Sequence, residues 1–439
     1  MKRHTSLIDR PMFRAASLVL WLSIGMVGCQ PIGPSPEWLG INTHWSARTL
    51  EAQNGGEADL DDELELLKDL HIRHVRAPLM DWAAIESLSD AGPDWSATDR
   101  IVLKAQRMGV KLVAVCPGVP PWAQTAEGLP DPDRIEQFAD FVRRFVERYD
   151  GDGRRDMPGL QRPIEHFELA FDLSRVEPDA YAAWVSAFAD AVKTAAPRAT
   201  VILGGLTNPG LDPCDPNGRR RPDDFARLLD AMALDHGNAM PFDVVGFSCF
   251  PLQCLPVPDP FNTATGYLRK AMADRSFVRP LWMTAYGQNV NQSHPDRQAA
   301  DLVKWTLTAR TLDVDRMFLH ALTDVEPPGR PRGAFGLAYR VMNDHTAIRR
   351  KAFEAVAVLA ERLSKQSIVT YRLPGLYMLT SREEPTYVLW RPDIHEPPHF
   401  ELNGWWEVTG LDGRSSVILG LNIQSEPEPI YLRQSKSPF

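Results

Sequence analysis

The hydrophobic pattern alternates between two periods along most of the chain. Short apolar runs rich in β-branched residues recur eight times, and stretches with helical spacing lie between them, as in Arg134–Tyr149. Because such buried strands joined by helices pair in parallel, eight units predict a closed (β/α)8 TIM barrel, an α/β fold. The predicted strands lie near Leu39–His44, Ile72–Pro78, Lys111–Cys116, Ile164–Phe171, Thr200–Gly204, Asp243–Cys249, Pro280–Ala285 and Arg316–Ala321.

Seven amphipathic stretches between these runs predict the surrounding helices. They are Leu60–Leu70, Thr98–Met108, Arg134–Tyr149, Ala180–Ala196, Phe225–Asp235, Arg297–Thr311 and Ala347–Leu363.

The pattern changes after about Ser367, where short alternating runs are separated by turn signals such as Asp412–Gly413. This spacing predicts a small antiparallel β-sandwich over 366–439, after a barrel over 37–365. The runs are Tyr371–Leu379, Tyr387–Trp390, Trp405–Thr409, Ser416–Leu419 and Ile430–Leu432.

The N-terminal segment has the order of a signal peptide. Basic residues precede the apolar run Ala15–Val27, and Gly28 ends it directly before Cys29. The run is shorter than the roughly 20 apolar residues that a membrane-spanning helix needs. Residues 1–28 therefore predict an export signal, with simple secretion and cleavage elsewhere as the alternative.

Cys29 stands in a context that resembles a bacterial lipobox, which implies a lipidated mature N-terminus. The Pro- and Gly-containing residues 29–36 then predict a short tether. Gln30 resembles an outer-membrane sorting context. We expect an exported, lipid-anchored protein, at the outer membrane or the periplasmic face if the host has two membranes.

Composition excludes some classes of partner. The net charge is -9 and the sequence has no stripe of Lys and Arg, so binding to nucleic acid is not expected. Export places the cysteines in an oxidising compartment, where a disulfide between Cys214 and Cys254 is one pairing that the sequence allows. Cys116 and Cys249 are predicted to be buried thiols. Cys and His spacing matches no zinc site, and we expect neither metal nor cofactor.

Motifs at the predicted strand ends carry a family resemblance. They are Ile72–Arg76 with Asp81–Glu86, Asp94–Trp95, Asp99, Val119–Ala123, Phe167–Asp172, Ala180–Tyr181, Ala191–Gly205, Leu281–Gly287 and Pro429–Leu432. Together they resemble the clan A glycoside hydrolases, and within them family 39-like members. The resemblance spans nearly all of the mature chain, and it implies a TIM barrel with an appended β-sandwich.

The sequence differs from that family at the positions of the catalytic residues. Retaining glycosidases use two carboxyl groups about 5 Å apart, one as acid/base and one as nucleophile. By resemblance Asp172 matches the acid/base position but is one methylene shorter, and Ala285 matches the nucleophile position but has no heteroatom. Phe171, Phe250 and Leu319 also stand where the family has an Asn, a Tyr and a sugar-stacking Trp. The resemblance therefore implies a barrel without an intact catalytic pair.

Side chains near the strand ends are the candidate ligand contacts, because the C-terminal face of a TIM barrel carries its active site. Aromatic rings could stack on sugars and polar groups could bond their hydroxyls. The candidate carbohydrate-binding residues are Asn42, His44, Trp45, Arg76, Trp122, Asp172, Tyr286 and Asp324. For several of these a structural role is an equal or better interpretation, notably for Trp122 as core and Arg76 as an ion-pair partner.

Three functions fit this pattern. The first is a lipid-anchored pseudoenzyme that binds or scaffolds a cell-envelope or extracellular polysaccharide without hydrolysing it. The second is an active glycoside hydrolase that uses Asp172 with a carboxylate from another strand, Asp324 or Glu326. The third is a structural envelope lipoprotein with a vestigial pocket.

Overall fold

Eight parallel strands close into a barrel in chain order, with β8 pairing back to β1. Each strand predicted from the sequence is present, so the TIM barrel is confirmed. The strands are β1 (Leu39–Asn42), β2 (His74–Ala77), β3 (Lys111–Cys116), β4 (His166–Leu169), β5 (Thr200–Thr207), β6 (Val244–Ser248), β7 (Leu281–Tyr286) and β8 (Arg316–Leu319).

The computed structural model describes only part of the chain. Cys29 and its tether, Cys214, Cys254 and Glu326 lie outside the described residues, so the predictions on them stay predictions. The described ranges are 36–51, 56–89, 92–173, 175–211, 223–236, 239–250, 259–290, 295–325, 334–340, 346–364, 368–373, 375–380, 384–391, 400–401, 403–419, 422–423 and 427–435.

The helices surround the barrel and bury one apolar face each. In Ile135–Tyr149 that face is formed by Phe138, Phe141, Val142 and Phe145, all fully buried. The helices are α1 (Ala47–Glu51), α2 (Gly56–Asp69), α3 (Trp82–Ile85), α4 (Ser96–Arg107), α5 (Ile135–Tyr149), α6 (Pro178–Ala195), α7 (Asp224–His236), α8 (Pro260–Ala273), α9 (Pro295–Arg310) and α10 (Lys351–Ser364). None of the described helices is long and apolar enough to cross a lipid bilayer.

Two sequence predictions about helices need correction. Helix α8 was not predicted, although Asp259 caps it and Pro260 opens it. Its buried positions include small or polar side chains such as Ala264 and Thr265, which weaken the apolar period. The last predicted helix was expected to begin at Ala347. Helix α10 begins at Lys351 instead, because Ala347–Arg349 forms a short strand.

The C-terminal region is antiparallel, as predicted for a β-sandwich. A six-stranded sheet has the order β12-β13-β14-β19-β16-β17, and β15 and β18 form a separate pair. The predicted strand Tyr371–Leu379 is in fact two strands, because Gly375 turns the chain with a φ of 77°. The remaining strands are β9 (Thr323–Val325), β10 (Ala338–Arg340), β11 (Ala347–Arg349), β12 (Ile368–Leu373), β13 (Leu376–Thr380), β14 (Thr386–Leu389), β15 (Phe400–Glu401), β16 (Trp405–Thr409), β17 (Ser415–Leu419), β18 (Asn422–Ile423) and β19 (Ile430–Ser435).

The six-stranded sheet packs directly on the helices of the barrel. The Tyr377 hydroxyl lies 3.0 Å from Thr308 Oγ1, and Arg362 Nη2 donates to Thr409 Oγ1 over 3.1 Å. These contacts hold the sheet against α9 and α10, away from the C-terminal ends of the barrel strands.

Candidate functional site at the barrel mouth

A buried polar network lies inside the C-terminal end of the barrel, which we call the mouth. Arg76 on β2 donates two hydrogen bonds to Glu168 on β4, Nε to Oε2 over 2.6 Å and Nη2 to Oε1 over 2.8 Å. Its third donor, Nη1, reaches Asn42 Oδ1 at 2.8 Å. Asn42 Nδ2 in turn donates to the carbonyls of Thr284 and Leu319. The network ties together four strands, β1, β2, β4 and β7, and the end of β8.

Glu168 is held in this network by shape as well as charge. Its side chain is fully buried, and among the described residues its side-chain hydrogen-bond donors are those of Arg76. Gly204 on β5 provides the space, since a Cβ atom there would lie 2.3 Å from Glu168 Oε1. A fully buried carboxylate in a bidentate ion pair is a structural group that is unable to reach a ligand without breaking both bonds.

Three partly exposed rings form a second feature of the mouth. Phe250 follows β6, His320 follows β8, and Phe335 lies in the segment before β10. Their centroids are 5.4 to 5.7 Å apart, with the rings inclined edge to face. We call Phe250, His320 and Phe335 the ring cluster. Of the three, sequence reasoning singled out only Phe250.

His320 is uncharged at neutral pH. Burial lowers its pKa to about 4, and the positive field of His44 and Arg76 acts in the same direction. The imidazole can therefore both donate and accept a hydrogen bond, while its ring contributes to the cluster. Leu319, which by resemblance stands at the position of a sugar-stacking Trp, is buried in the core.

The tip of β7 carries Ala285 with its methyl group partly exposed. An irregularity between Met283 and Tyr286 breaks the alternation of the strand. As a result Tyr286 turns away from the mouth into the helix layer, where its hydroxyl lies 2.7 Å from Thr306 Oγ1. A methyl group has no lone pair, so this strand end is unable to supply a nucleophile.

The candidate acid of the fourth strand, Asp172, comes three residues after the end of β4. Asp172 lies at the surface, and its backbone carbonyl accepts a hydrogen bond from Arg175 N over 2.9 Å. Phe171 is buried against Trp184 and Tyr181, so it does not line the mouth. The ion pair that sequence reasoning considered between Arg76 and Asp172 is formed by Glu168 instead.

No protein-family model matches the sequence, and no curated protein matches it either. Solved structures do match. A family 39 glycoside hydrolase from the gut symbiont Bacteroides cellulosilyticus WH2 aligns with a TM-score of 0.68 at 17% identity, over 91% of this chain and 81% of that chain. A glucosidase from Croceicoccus marinus aligns at 0.61 and 14% identity, over 93% and 98% of the two chains. A GH30 endoxylanase from Clostridium papyrosolvens C71 aligns at 0.56 and 12%, over 92% and 99%.

The fold is that of the clan A glycoside hydrolases. At these identities the likeness establishes architecture, and the chemistry has to be judged from the residues of this chain. This glycoside-hydrolase-like barrel has Ala285 at the tip of β7. On β4 it has Glu168, whose carboxylate is buried and paired with Arg76.

The carboxylate of Asp324 is already engaged in contacts within the protein. It is 7% exposed, forms an ion pair with Arg350, and accepts hydrogen bonds from the backbone N–H groups of Phe335 and Gly336. These bonds fix the segment that carries Phe335. The burial and contacts of Asp324 favour a structural role for it over the ligand contact or catalytic partner that the sequence allows.

Two aromatic candidates for sugar stacking are also corrected. Trp45 is 4% exposed and donates its indole N–H to Glu63 Oε2 over 2.5 Å, which joins the end of β1 to α2. Tyr286 is fully buried, and burial raises its pKa above the usual range. Neither ring presents a face to a ligand, because both are packed in the core.

Trp122 and His44 are the remaining candidates. Trp122 is partly buried, packs edge to face on Trp82 at 4.9 Å, and donates to Glu86 O, as expected of a ring at the border of the core. His44 is exposed just beyond β1, and its field acts on His320, so it lies close to the ring cluster. Asn42, Arg76, His44 and the ring cluster thus make up the mouth as the structure shows it.

The cysteines described lie in the core. Cys116 and Cys249 are buried and free, as predicted, and burial raises the pKa of Cys116 to about 12. Elsewhere on the surface, Asp150, Asp152 and Asp156 have carboxylate oxygens within 4.8 Å of one another. Asp156 accepts hydrogen bonds from the N–H groups of Gly151 and Gly153, so the acids of this turn organise its own backbone.

Proposed function

We propose that this protein is an exported, lipid-anchored saccharide-binding protein that has the fold of a glycoside hydrolase and does not hydrolyse its ligand. The observation that carries the proposal is the methyl group of Ala285 at the tip of β7, where the resembling enzymes have a nucleophile. Glycosyl transfer to the protein requires an oxygen at that point, and the side chain has none.

The other carboxylates of the barrel end support this proposal. Glu168 is fully buried and paired with Arg76, and Asp324 is paired with Arg350. Asp172 is exposed to solvent. A catalytic pair needs two carboxyl groups that face the same bond, and of these three carboxylates only that of Asp172 is exposed.

The ring cluster supports binding of a saccharide. Partly exposed rings offer apolar surface to the C–H face of a sugar, while the neutral His320 and the exposed His44 provide hydrogen-bonding groups close by. Mixed aromatic and polar lining is typical of small-molecule sites. The solved structures with this fold are named as hydrolases of glycans, which favours an oligosaccharide or polysaccharide as the ligand.

The direction of β1 suggests how an anchored molecule would be oriented. The chain enters the barrel at Leu39, at the N-terminal end of the strands, which is the face opposite the mouth. A tether over residues 29–36 would span at most about 3.5 Å per residue. The membrane would then lie near the N-terminal face, and the mouth would open away from it toward an extracellular or periplasmic polysaccharide.

Replacing the two phenylalanines of the ring cluster is expected to weaken saccharide binding. A glycan array probed with the wild-type protein identifies the best ligand, and calorimetry then gives its Kd. The double variant F250L/F335L should bind that oligosaccharide about tenfold more weakly or worse, because each aromatic contact contributes about 0.5–1.5 kcal/mol.

The matched control is Tyr267→Leu, a partly buried ring on the outer helix α8. It should leave Kd unchanged, and circular dichroism should show all three proteins folded. Equal affinity of wild type and F250L/F335L would place the ligand elsewhere, and absence of any binding by the wild type would leave a structural lipoprotein as the better interpretation.

A further inference from the structure

A pocket of about 500 Å³ opens at the N-terminal face of the barrel, on the opposite side from the mouth. Its volume falls within the range of about 300–1,000 Å³ that is usual for small-molecule sites. Its wall carries Trp38, Thr200, Trp282, Arg316 and three acidic residues. The proposed function places the tether near this face but no ligand on it.

Arg316, the first residue of β8, is the unusual group in this pocket. Its guanidinium stacks on the Trp282 ring at 4.8 Å. Its Nη1 atom is buried, and it has no hydrogen-bond partner among the described residues. Desolvation lowers the pKa of Arg316, although Glu37, Glu165 and Asp315 act in the opposite direction. A buried guanidinium nitrogen without an acceptor costs free energy that a bound oxyanion would recover.

The acids on the pocket wall are occupied by other groups. Asp243 Oδ2 accepts from Lys193 Nζ and from Val201 N, both over 2.8 Å. Glu37 is paired with Lys111 at 2.7 Å. Asp315 Oδ2 accepts from Leu281 N over 3.2 Å. Their charges are therefore satisfied in part without Arg316, which lies beyond 4.0 Å of every carboxylate oxygen in the described part of the chain.

Two histidines beside the pocket are neutral, so neither supplies a positive charge that would compete with Arg316 for a bound anion. Burial, reinforced by Arg316 and Lys111, lowers the pKa of His74 to about 3 and that of His166 to about 4. Both imidazoles are neutral at pH 7, so the contact of 3.4 Å between His74 Nε2 and Glu37 is not an ion pair there. Arg316 is accordingly a cation on the pocket wall that lacks a carboxylate partner among the described residues.

We propose that this pocket binds a saccharide bearing a carboxylate, that is, a uronic acid, with the carboxylate on Arg316. The guanidinium offers the planar fork that a carboxylate fits. The partly buried Trp38 ring and the Thr200 hydroxyl line the rest of the pocket and match the apolar face and the hydroxyl groups of a sugar. The pocket is a second ligand site, independent of the ring cluster and of the proposed function.

Calorimetry on the full mature chain with three probes tests this proposal. Glucuronate should bind with heat that fits one site, whereas glucose, which lacks the carboxylate, should bind at least about tenfold more weakly. Inorganic phosphate is the third probe. Phosphate binding as tight as that of glucuronate would overturn the assignment of a saccharide, and a lack of glucuronate binding would overturn the site.

Variants locate the binding. Arg316→Gln removes the charge and should weaken glucuronate binding about tenfold or more, and Arg316→Lys should restore part of it. The matched control is Arg279→Gln, because Arg279 lies just before β7 but already donates to the carbonyl of Phe242. Unchanged affinity in Arg316→Gln would overturn the proposal. The F250L/F335L variant should bind glucuronate like the wild type, which separates this site from the mouth.

Discussion

Replacing Arg76 with methionine is expected to lower the free energy of unfolding by about 3–5 kcal/mol, because it leaves the carboxylate of Glu168 buried and unpaired. Glu168 is fully buried, and Arg76 supplies both of its side-chain hydrogen bonds at 2.6 and 2.8 Å. Urea unfolding followed by circular dichroism measures the change. Asn42 also loses its donor, which adds to the effect.

Two further proteins make this result specific. The double variant R76M/E168Q, with no charge left in the network, should be more stable than R76M alone, because an amide costs less to bury than a carboxylate. Arg349→Met breaks an ion pair with Asp69 that is largely exposed to solvent, and it should cost less than about 1 kcal/mol. A loss below 1 kcal/mol in R76M would contradict the view that Glu168 depends on Arg76.

Lowering the pH from 7 to 4.5 is expected to destabilise the protein strongly, because one buried and two partly buried histidines are neutral in the folded protein. Burial lowers the pKa of His74 to about 3 and the pKa values of His166 and His320 to about 4. In the unfolded chain each has a pKa near 6.5, so between these values the unfolded state binds more protons and stability falls as the pH falls. The stabilisation is fully present above pH 6.5 and is lost on acidification.

The expected slope can be bounded. Three protons correspond to about 4 kcal/mol per pH unit near pH 5. Asp150 opposes this with one proton, because partial burial raises its pKa to about 6 and the folded state binds the proton first. The net slope should therefore approach about 3 kcal/mol per pH unit. Unfolding free energies at half-unit intervals of pH measure it.

A pair of variants assigns this slope to buried histidine. His74→Gln should reduce the slope near pH 5 by about 1.4 kcal/mol per pH unit, since one proton is no longer taken up. Asn262→Gln, which changes an exposed side chain that does not titrate, should leave the slope unchanged. The same slope in His74→Gln as in the wild type would contradict the account of the barrel interior.

The barrel and part of the mouth could be predicted from the sequence. Buried β-branched runs of four to eight residues mark the strands, and strand ends of a parallel barrel must meet at one face, so Asn42 and Arg76 were correctly placed there. The side that a residue faces at a strand end is harder to predict. Trp45 and Tyr286 were expected to face the mouth, and both are buried in the core.

The physical reason is visible on β7. Strict alternation from Trp282, which points into the barrel, would turn Tyr286 to the same side. The irregularity between Met283 and Tyr286 shifts the alternation by one position, and the sequence carries no turn signal that would announce it. Phe335 escaped prediction for a related reason, because a loop residue has no period that would place its ring beside Phe250.

The central claim is that a glycan bound at the mouth is not cleaved, and release of reducing ends tests it most directly. The oligosaccharide that binds best should be incubated with the wild-type protein for a day, alongside Asp172→Asn and buffer alone. We expect no reducing ends above the buffer control for either protein, while binding to the wild type persists. Catalytic turnover by the wild type that Asp172→Asn abolishes would contradict the claim and show that the barrel still hydrolyses its ligand.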